Sequence, residues 1–231
     1  MSRMKHSDRA KAAARKLILM ALILLLVIVG VGVLAAVLSS FIKAIAGILI
    51  GLWLLFTAFT LYFFRDPEAR VPSDPKVIVS PGHGTVDVID ETTEPEFMGG
   101  PCRRVSIFLS VIDVHVQQAP VAGKIVHLKH SPGQFVSALK AESCAHNENV
   151  LIGIASSERP GEKIGVRLLA GLIARRIVPF VVIGDEPKRG ERISLIQFGS
   201  RAHLYLPLTT QIVVKLGDKV VGGETVMATR D

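Results

Sequence analysis

The chain has 231 residues, 49% of them hydrophobic, and a formal net charge of +7. Six basic residues in the first sixteen (Arg3, Lys5, Arg9, Lys11, Arg15 and Lys16) face one acid there, Asp8; with that tail and Lys43 set aside, the remainder is nearly neutral. That balance argues against nucleic-acid binding, which draws on many phosphate-neutralising cations, and the two cysteines, Cys102 and Cys144, have no metal-ligand spacing and read as inert thiols.

From Leu17 to Phe64 the only charged residue is Lys43. A membrane-crossing helix needs about 20 apolar residues, so this stretch has the length for two. The expectation is a helical hairpin, with helices over 17–38 and 44–64 and a break at Ser39–Lys43. The run is too long for a cleaved signal peptide. Basic flanks stay on the cytoplasmic side, and Arg65 and Arg70 follow the second helix. The reading is therefore a basic cytoplasmic tail over 1–16, a transmembrane hairpin over 17–64, and a domain over 65–231 on the cytoplasmic face of the cell membrane.

The last 167 or so residues suffice for one domain with a core. Short Val- and Ile-rich runs bounded by Gly and Pro predict strands at 76–80, 103–111, 123–128, 149–156, 163–170, 176–184, 192–198 and 211–216. The stretch 165–178 has mixed periodicity and leans to strand. Asp87, Asp90 and Glu91 read as a solvated acidic edge. The segments APVAGKIVHLKHSPGQFVSA and TQIVVKLGDKVVGGETVMA share a strand–turn–strand pattern. It resembles the hammerhead halves of lipoyl and biotinyl domains, which predicts a mainly β domain built as a barrel or sandwich. His127 and His130 stand three apart with no cysteine or carboxylate cluster beside them, so no metal site is expected. Near the end, strand-like pieces at Ile193–Phe198 and His203–Leu206 flank Gly199-Ser200-Arg201, which by spacing alone is a turn.

Six segments carry a stronger signal: FFRDPEAR after the apolar run, VSPGHGTVDVID at 79–90, FLSVIDVHVQQAPVAGKI at 108–125, AHNENVLIGI at 145–154, GVRLLAGLIARRIV at 165–178 and ISLIQFGSRAHLYLP at 193–207. In this order they resemble the phosphatidylserine decarboxylases, specifically the small membrane-linked type. The resemblance implies that the Gly199–Ser200 bond cleaves itself. The Ser200 hydroxyl attacks the preceding carbonyl to give an ester; β-elimination and loss of ammonia leave a pyruvoyl group on the new N-terminus. Gly199, lacking a Cβ, tolerates the strained backbone this requires. The pyruvoyl ketone then forms a Schiff base with phosphatidylserine and takes up the electrons released with CO₂, leaving phosphatidylethanolamine. Two chains, 1–199 and 200–231, stay paired through their strands, and a higher oligomer stays open.

The resemblance also implies residue roles. His115, in DVHV, matches the family's histidine and is the expected acid that reprotonates the α-carbon; alternation sets Asp113, His115 and Gln117 on one face of an extended segment. Where the family reads Ala-Asp-Gly this chain has Gly82-His83-Gly84, so His83 becomes the expected base for Ser200, with His203 a second candidate or else an exposed strand histidine. Gln118 takes the place of a second family histidine, and Asn147-Glu148-Asn149 replaces Asn-Glu-Arg. Arg201, Gln118 and Asn147 form the expected substrate-binding set, with Arg201 meeting the lipid phosphate or capping a turn. Arg175 and Arg176 face headgroups or solvent. The His83 departure also accommodates a non-catalytic membrane-tethered module that binds lipid or a partner, and the headgroup chemistry would serve another serine-headgroup lipid equally well.

Overall fold

The computed structural model describes residues 7–136, 146–172, 176–197 and 199–230. Cys144 and Arg175 lie outside the described residues. The chain divides into two compact units, Met1–Phe59 and Thr60–Asp231.

Helix α1 runs Ser7–Phe63 without interruption, where a break at 39–43 was expected. Ser39-Ser40-Phe41-Ile42-Lys43 contains neither proline nor glycine, so nothing there ends the backbone ladder. Within α1, Lys16–Phe63 is a 48-residue segment apolar enough to cross a membrane. It is apolar on every side, with Leu34 and Leu55 each 68% exposed. A helix of this kind has no single buried face to pack on a soluble core.

The second unit is mainly β. Its strands are β1 (Val77–Val79), β2 (Gly84–Glu94), β3 (Gly100–Leu109), β4 (Val116–Gln118), β5 (Gly123–Ser131), β6 (Asn149–Ser156), β7 (Lys163–Ala170), β8 (Ile177–Pro179), β9 (Arg192–Ile196), β10 (Ser200–Leu206), β11 (Gln211–Ile212), β12 (Lys219–Val220) and β13 (Val226–Thr229). Seven of them form an antiparallel sheet in the order β12-β2-β3-β10-β7-β6-β5. It is an open sheet, and no closed barrel forms among the described residues. Two three-stranded sheets, β1-β13-β11 and β4-β9-β8, complete the unit. Ile78, Met227 and Ala228 from the first, and Ile177, Ile193 and Ile196 from the second, share one buried apolar cluster with Ile107, Ile152 and Leu204 of the large sheet.

The two segments expected to form like halves have unlike settings. The first supplies a nine-residue edge strand, β5. The second is divided among β11, β12 and β13, which belong to two different sheets. β8 is also shorter than its apolar run, because Pro179 cannot donate to a ladder.

β2 differs most from expectation. β12 pairs β2 only at Gly84 and Thr85, so the stretch holding Asp87, Asp90 and Glu91 has β3 on one side alone, and Asp87 and Glu91 are exposed. Asp90 and Glu91 stand opposite Arg104 and Arg103, and the Asp90–Arg104 pair closes to 2.5 Å. The acidic edge is thus also one side of a cross-strand charge pairing.

Candidate active site

Gly199 and Ser200 sit where the chain leaves one sheet for another. β9 ends at Ile196 between β4 and β8, and β10 begins at Ser200 between β3 and β7. Ser200 is thus the first residue of a central strand, in register with Leu109 on one side and Ala170 on the other. Gly199 makes the crossing with φ at +77°, a left-handed conformation that disfavours residues with a Cβ.

The Gly199 amide donates to Nε2 of His115 at 3.1 Å. On the far side of the ring, Nδ1 lies 2.9 Å from the Asp113 carbonyl. A carbonyl only accepts, so Nδ1 carries the proton and Nε2 turns its lone pair to the Gly199 backbone. His115 is fully buried, and burial pushes its pKa down to about 4, which keeps the ring neutral at pH 7. The Phe63 ring covers it at a centroid distance of 4.4 Å. Beside this arrangement Ser200 Oγ is buried and has no hydrogen-bond partner among the described residues.

The loop that delivers His115 is a turn rather than the extended run expected. The Asp113 amide donates to the Ser110 carbonyl and the Ser110 amide to Asp113 Oδ2, each at 2.8 Å. β4 then starts at Val116. Gln117, expected from alternation on the His115 face but given no role there, is a supporting residue. Its Nε2 donates to the His115 carbonyl at 2.7 Å, and its Oε1 accepts from Ser194 Oγ at 2.7 Å. Phe63 was likewise missed as a ring partner, although FFRDPEAR was marked as a motif.

The other expected residues fall into three groups. Asn147 lies beside β7: its Nδ2 donates to the Ala170 carbonyl at 2.7 Å, and Ala170 is the register partner of Ser200. The same side chain pairs with both the amide and the carbonyl of Val136, tying that loop to the end of β7. His83 and Gln118 meet at Gly222. The Gly222 amide donates to His83 Nδ1 at 3.3 Å, and a Cβ on Gly222 would stand 2.1 Å from Gln118 Oε1, so a side chain there would require Gln118 to move. Burial lowers the His83 pKa, with the nearby Asp113 charge opposing it, and its charge is felt at His115.

Arg201 and His203 lie on the opposite face of β10 from Ser200, because alternate residues point opposite ways. Arg201 is fully buried rather than presented to a headgroup or capping a turn. Its Nη1 donates to Asp87 Oδ1 at 2.6 Å and Ser106 Oγ at 2.7 Å. His203 is 5% exposed, not the exposed strand residue considered from sequence. Burial, with the charges of Arg104, Arg201 and Arg167, pushes its pKa down to about 3.

Comparison with known proteins agrees with this geometry. The family described as phosphatidylserine decarboxylase matches residues 56–228. The phosphatidylserine decarboxylase proenzyme of Desulfotalea psychrophila is 47% identical over 180 residues, covering 78% of this chain and 83% of its own length. That of Symbiobacterium thermophilum is 41% identical over 200 residues, covering 86% and 90%. That of Syntrophus aciditrophicus is 44% identical over 173 residues, covering 75% and 80%. The chain belongs to the phosphatidylserine decarboxylase family.

Proposed function

We infer that this chain is a proenzyme that cuts itself between Gly199 and Ser200 and then decarboxylates phosphatidylserine to phosphatidylethanolamine. The observation that carries the reading is the pairing of two groups at one backbone crossing: a neutral imidazole lone pair on the Gly199 amide, and an unpartnered buried hydroxyl on Ser200.

The residues present fit a pyruvoyl group made from Ser200. A serine hydroxyl with no competing hydrogen bond is free to approach the Gly199 carbonyl carbon, and glycine takes up the left-handed turn there without a Cβ to crowd the approach. We propose His115 as the base for the hydroxyl proton, its Nε2 exchanging the Gly199 amide for the Ser200 hydroxyl. Asp113 and Gln117 hold the ring and its backbone in place. We assign His83 a supporting part as a neutral ring that accepts from the Gly222 amide, and Gln118 a part in seating it beside Gly222. Asn147 fixes the Ala170 backbone against which residue 200 rests. Once formed, the pyruvoyl group supplies an electron-accepting carbonyl for loss of CO₂ from an amino-acid headgroup. In turnover we propose His115 as the acid that returns a proton at residue 200, its ring lying against the adjacent Gly199 amide.

The surroundings suit a lipid substrate. Val111 and Ile112 follow the Leu109 register partner of Ser200, and Leu172 follows the Ala170 partner; Ile112 and Leu172 are 60% and 64% exposed. Phe135 and Val136 join them through the Asn147 clamp. An apolar rim of this kind favours acyl chains over water. The apolar part of α1 would extend about 72 Å at 1.5 Å per residue, more than twice the roughly 30 Å of a bilayer core. We infer that this segment attaches the chain to the membrane, with its basic flank favouring the cytoplasmic side.

The test is the mass of the denatured protein. The wild type is expected as two chains, 1–199 and 200–231, the shorter blocked to amine-directed sequencing. Ser200→Ala is expected as one uncut chain without decarboxylase activity. A cut or active alanine variant would overturn the reading.

A further inference from the structure

Residues 200–231 hold a central strand of the large sheet, yet a cut at Gly199–Ser200 leaves them no covalent tie to it. The ion pairs that this segment makes among the described residues are therefore informative. Three are present, and all of them reach into 1–199. They come from two arginines, one at each end of the segment, and both are buried.

Arg201 is next to the cut. It is 0% exposed, and Asp87 and Ser106 bind its Nη1 from β2 and β3. Asp87 reaches it through a backbone irregularity: the β2–β3 register shifts between Val86 and Val88, leaving Asp87 without a Cα partner as the bulge residue. Bulges re-aim side chains and are common beside active sites. Arg230, at the other end, is 5% exposed. Its Nη2 donates to Glu158 Oε2 at 2.5 Å and its Nη1 to Glu162 and, at 3.3 Å, to Ser156 Oγ. Its amide donates to the Lys76 carbonyl at 3.0 Å. Arg189 closes the same network on Glu158 at 2.7 Å.

Buried ion pairs add little net stability compared with apolar packing, but removing one partner leaves a desolvated charge and is strongly destabilising. Such pairs suit a place where two pieces must stay in one register without a bond. We propose that Arg201 and Arg230 are inter-chain pins that hold residues 200–231 on the sheet after the cut, and that Arg201 is also a positioning residue for the group at residue 200. This rests on the cut assigned above.

The experiment uses the full chain in detergent, with Arg230→Met, Arg201→Met, Arg201→Lys and the milder Asp87→Asn and Glu162→Gln. Denatured mass reports whether each is cut; size exclusion followed by mass analysis reports whether the short chain stays bound. Arg230→Met is expected to be cut and to release the short chain at least tenfold faster than the wild type, with Glu162→Gln between the two. Arg201→Met is expected to lose at least tenfold in kcat with KM little changed, and Arg201→Lys to recover part of that loss. Should a methionine variant fail to fold or cut, Asp87→Asn and Glu162→Gln decide the matter by the same release and kcat measurements. Short chains retained at the wild-type rate in every cut variant, with kcat unchanged in Arg201→Met or Asp87→Asn, would overturn the proposal. A wild type that is never cut would instead remove the reading on which it rests.

Discussion

His115 is held by two hydrogen bonds of opposite sense: it gives a proton to the Asp113 carbonyl and receives one from the Gly199 amide. That asymmetry fixes the tautomer, and burial keeps the ring neutral. His115→Gln should therefore slow self-cleavage by roughly 10²-fold or more, the scale of a lost general base, while leaving the fold intact; a time course of chain-length change by mass reads this directly, and cleavage at the wild-type rate would remove His115 from that step. The family resemblance singled out His115, Gly199 and Ser200, and the structure brings the His115 ring against the Gly199 amide. The resemblance did not reveal the facing of Arg201. A residue beside a cleavage point invites a substrate role, but strand alternation from Ser200 turns Arg201 away, and the bulge at Asp87 that captures it has no mark in the sequence. His83 was readable as an oddity only; its seat beside Gly222 depends on a contact 139 residues away.

At the scale of elements, strands that alternate or run apolar were legible, and β6 and β7 begin and end where their apolar runs do. β2 was hidden because five of its residues are acidic or threonine in succession, and their partners lie on another strand. β12 and β13 were too short to stand out from turn signals. The apolar run was legible as helical and membrane-sized, but the continuity of α1 through Ser39–Lys43 was not, because a single lysine does not break a helix. The divide at Phe59–Thr60 gives this element its own prediction. A chain starting at Thr60 keeps Phe63 over His115 and should still cut itself, yet should no longer sediment with phosphatidylglycerol-containing vesicles as the full chain does. Full retention on vesicles would shift membrane attachment from α1 to the apolar rim; an uncut product would give α1 a part in maturation.

For the whole molecule, two buried imidazoles set the acid limit of stability. Burial holds His115 and His203 at about 4 and about 3, while an unfolded histidine sits near 6.5. Below about pH 6.5 the unfolded chain takes up protons that the native chain refuses, so stability is full above that pH and falls as the pH drops towards 4. Urea melts of the uncut Ser200→Ala chain at pH 7, 6 and 5 should give steadily lower midpoints, with net proton uptake on unfolding from His115 and His203 and a further share from His83, whose pKa burial also lowers. Equal midpoints would mean that these rings are not buried.

β10 lies at the middle of the large sheet, flanked by β3 and β7 over most of its length. With the cut proposed at Gly199–Ser200, that position would give the protein a one-way history. The sheet is assembled while the chain is whole, when β10 is tethered to its neighbours by sequence. After the cut, an unfolded molecule becomes two strangers whose meeting depends on concentration, and the central strand must be threaded back between two occupied edges. The mature form persists by the height of its unfolding barrier rather than by its balance with the unfolded state. Its lifetime, once lost, is restored only by synthesis of a new chain.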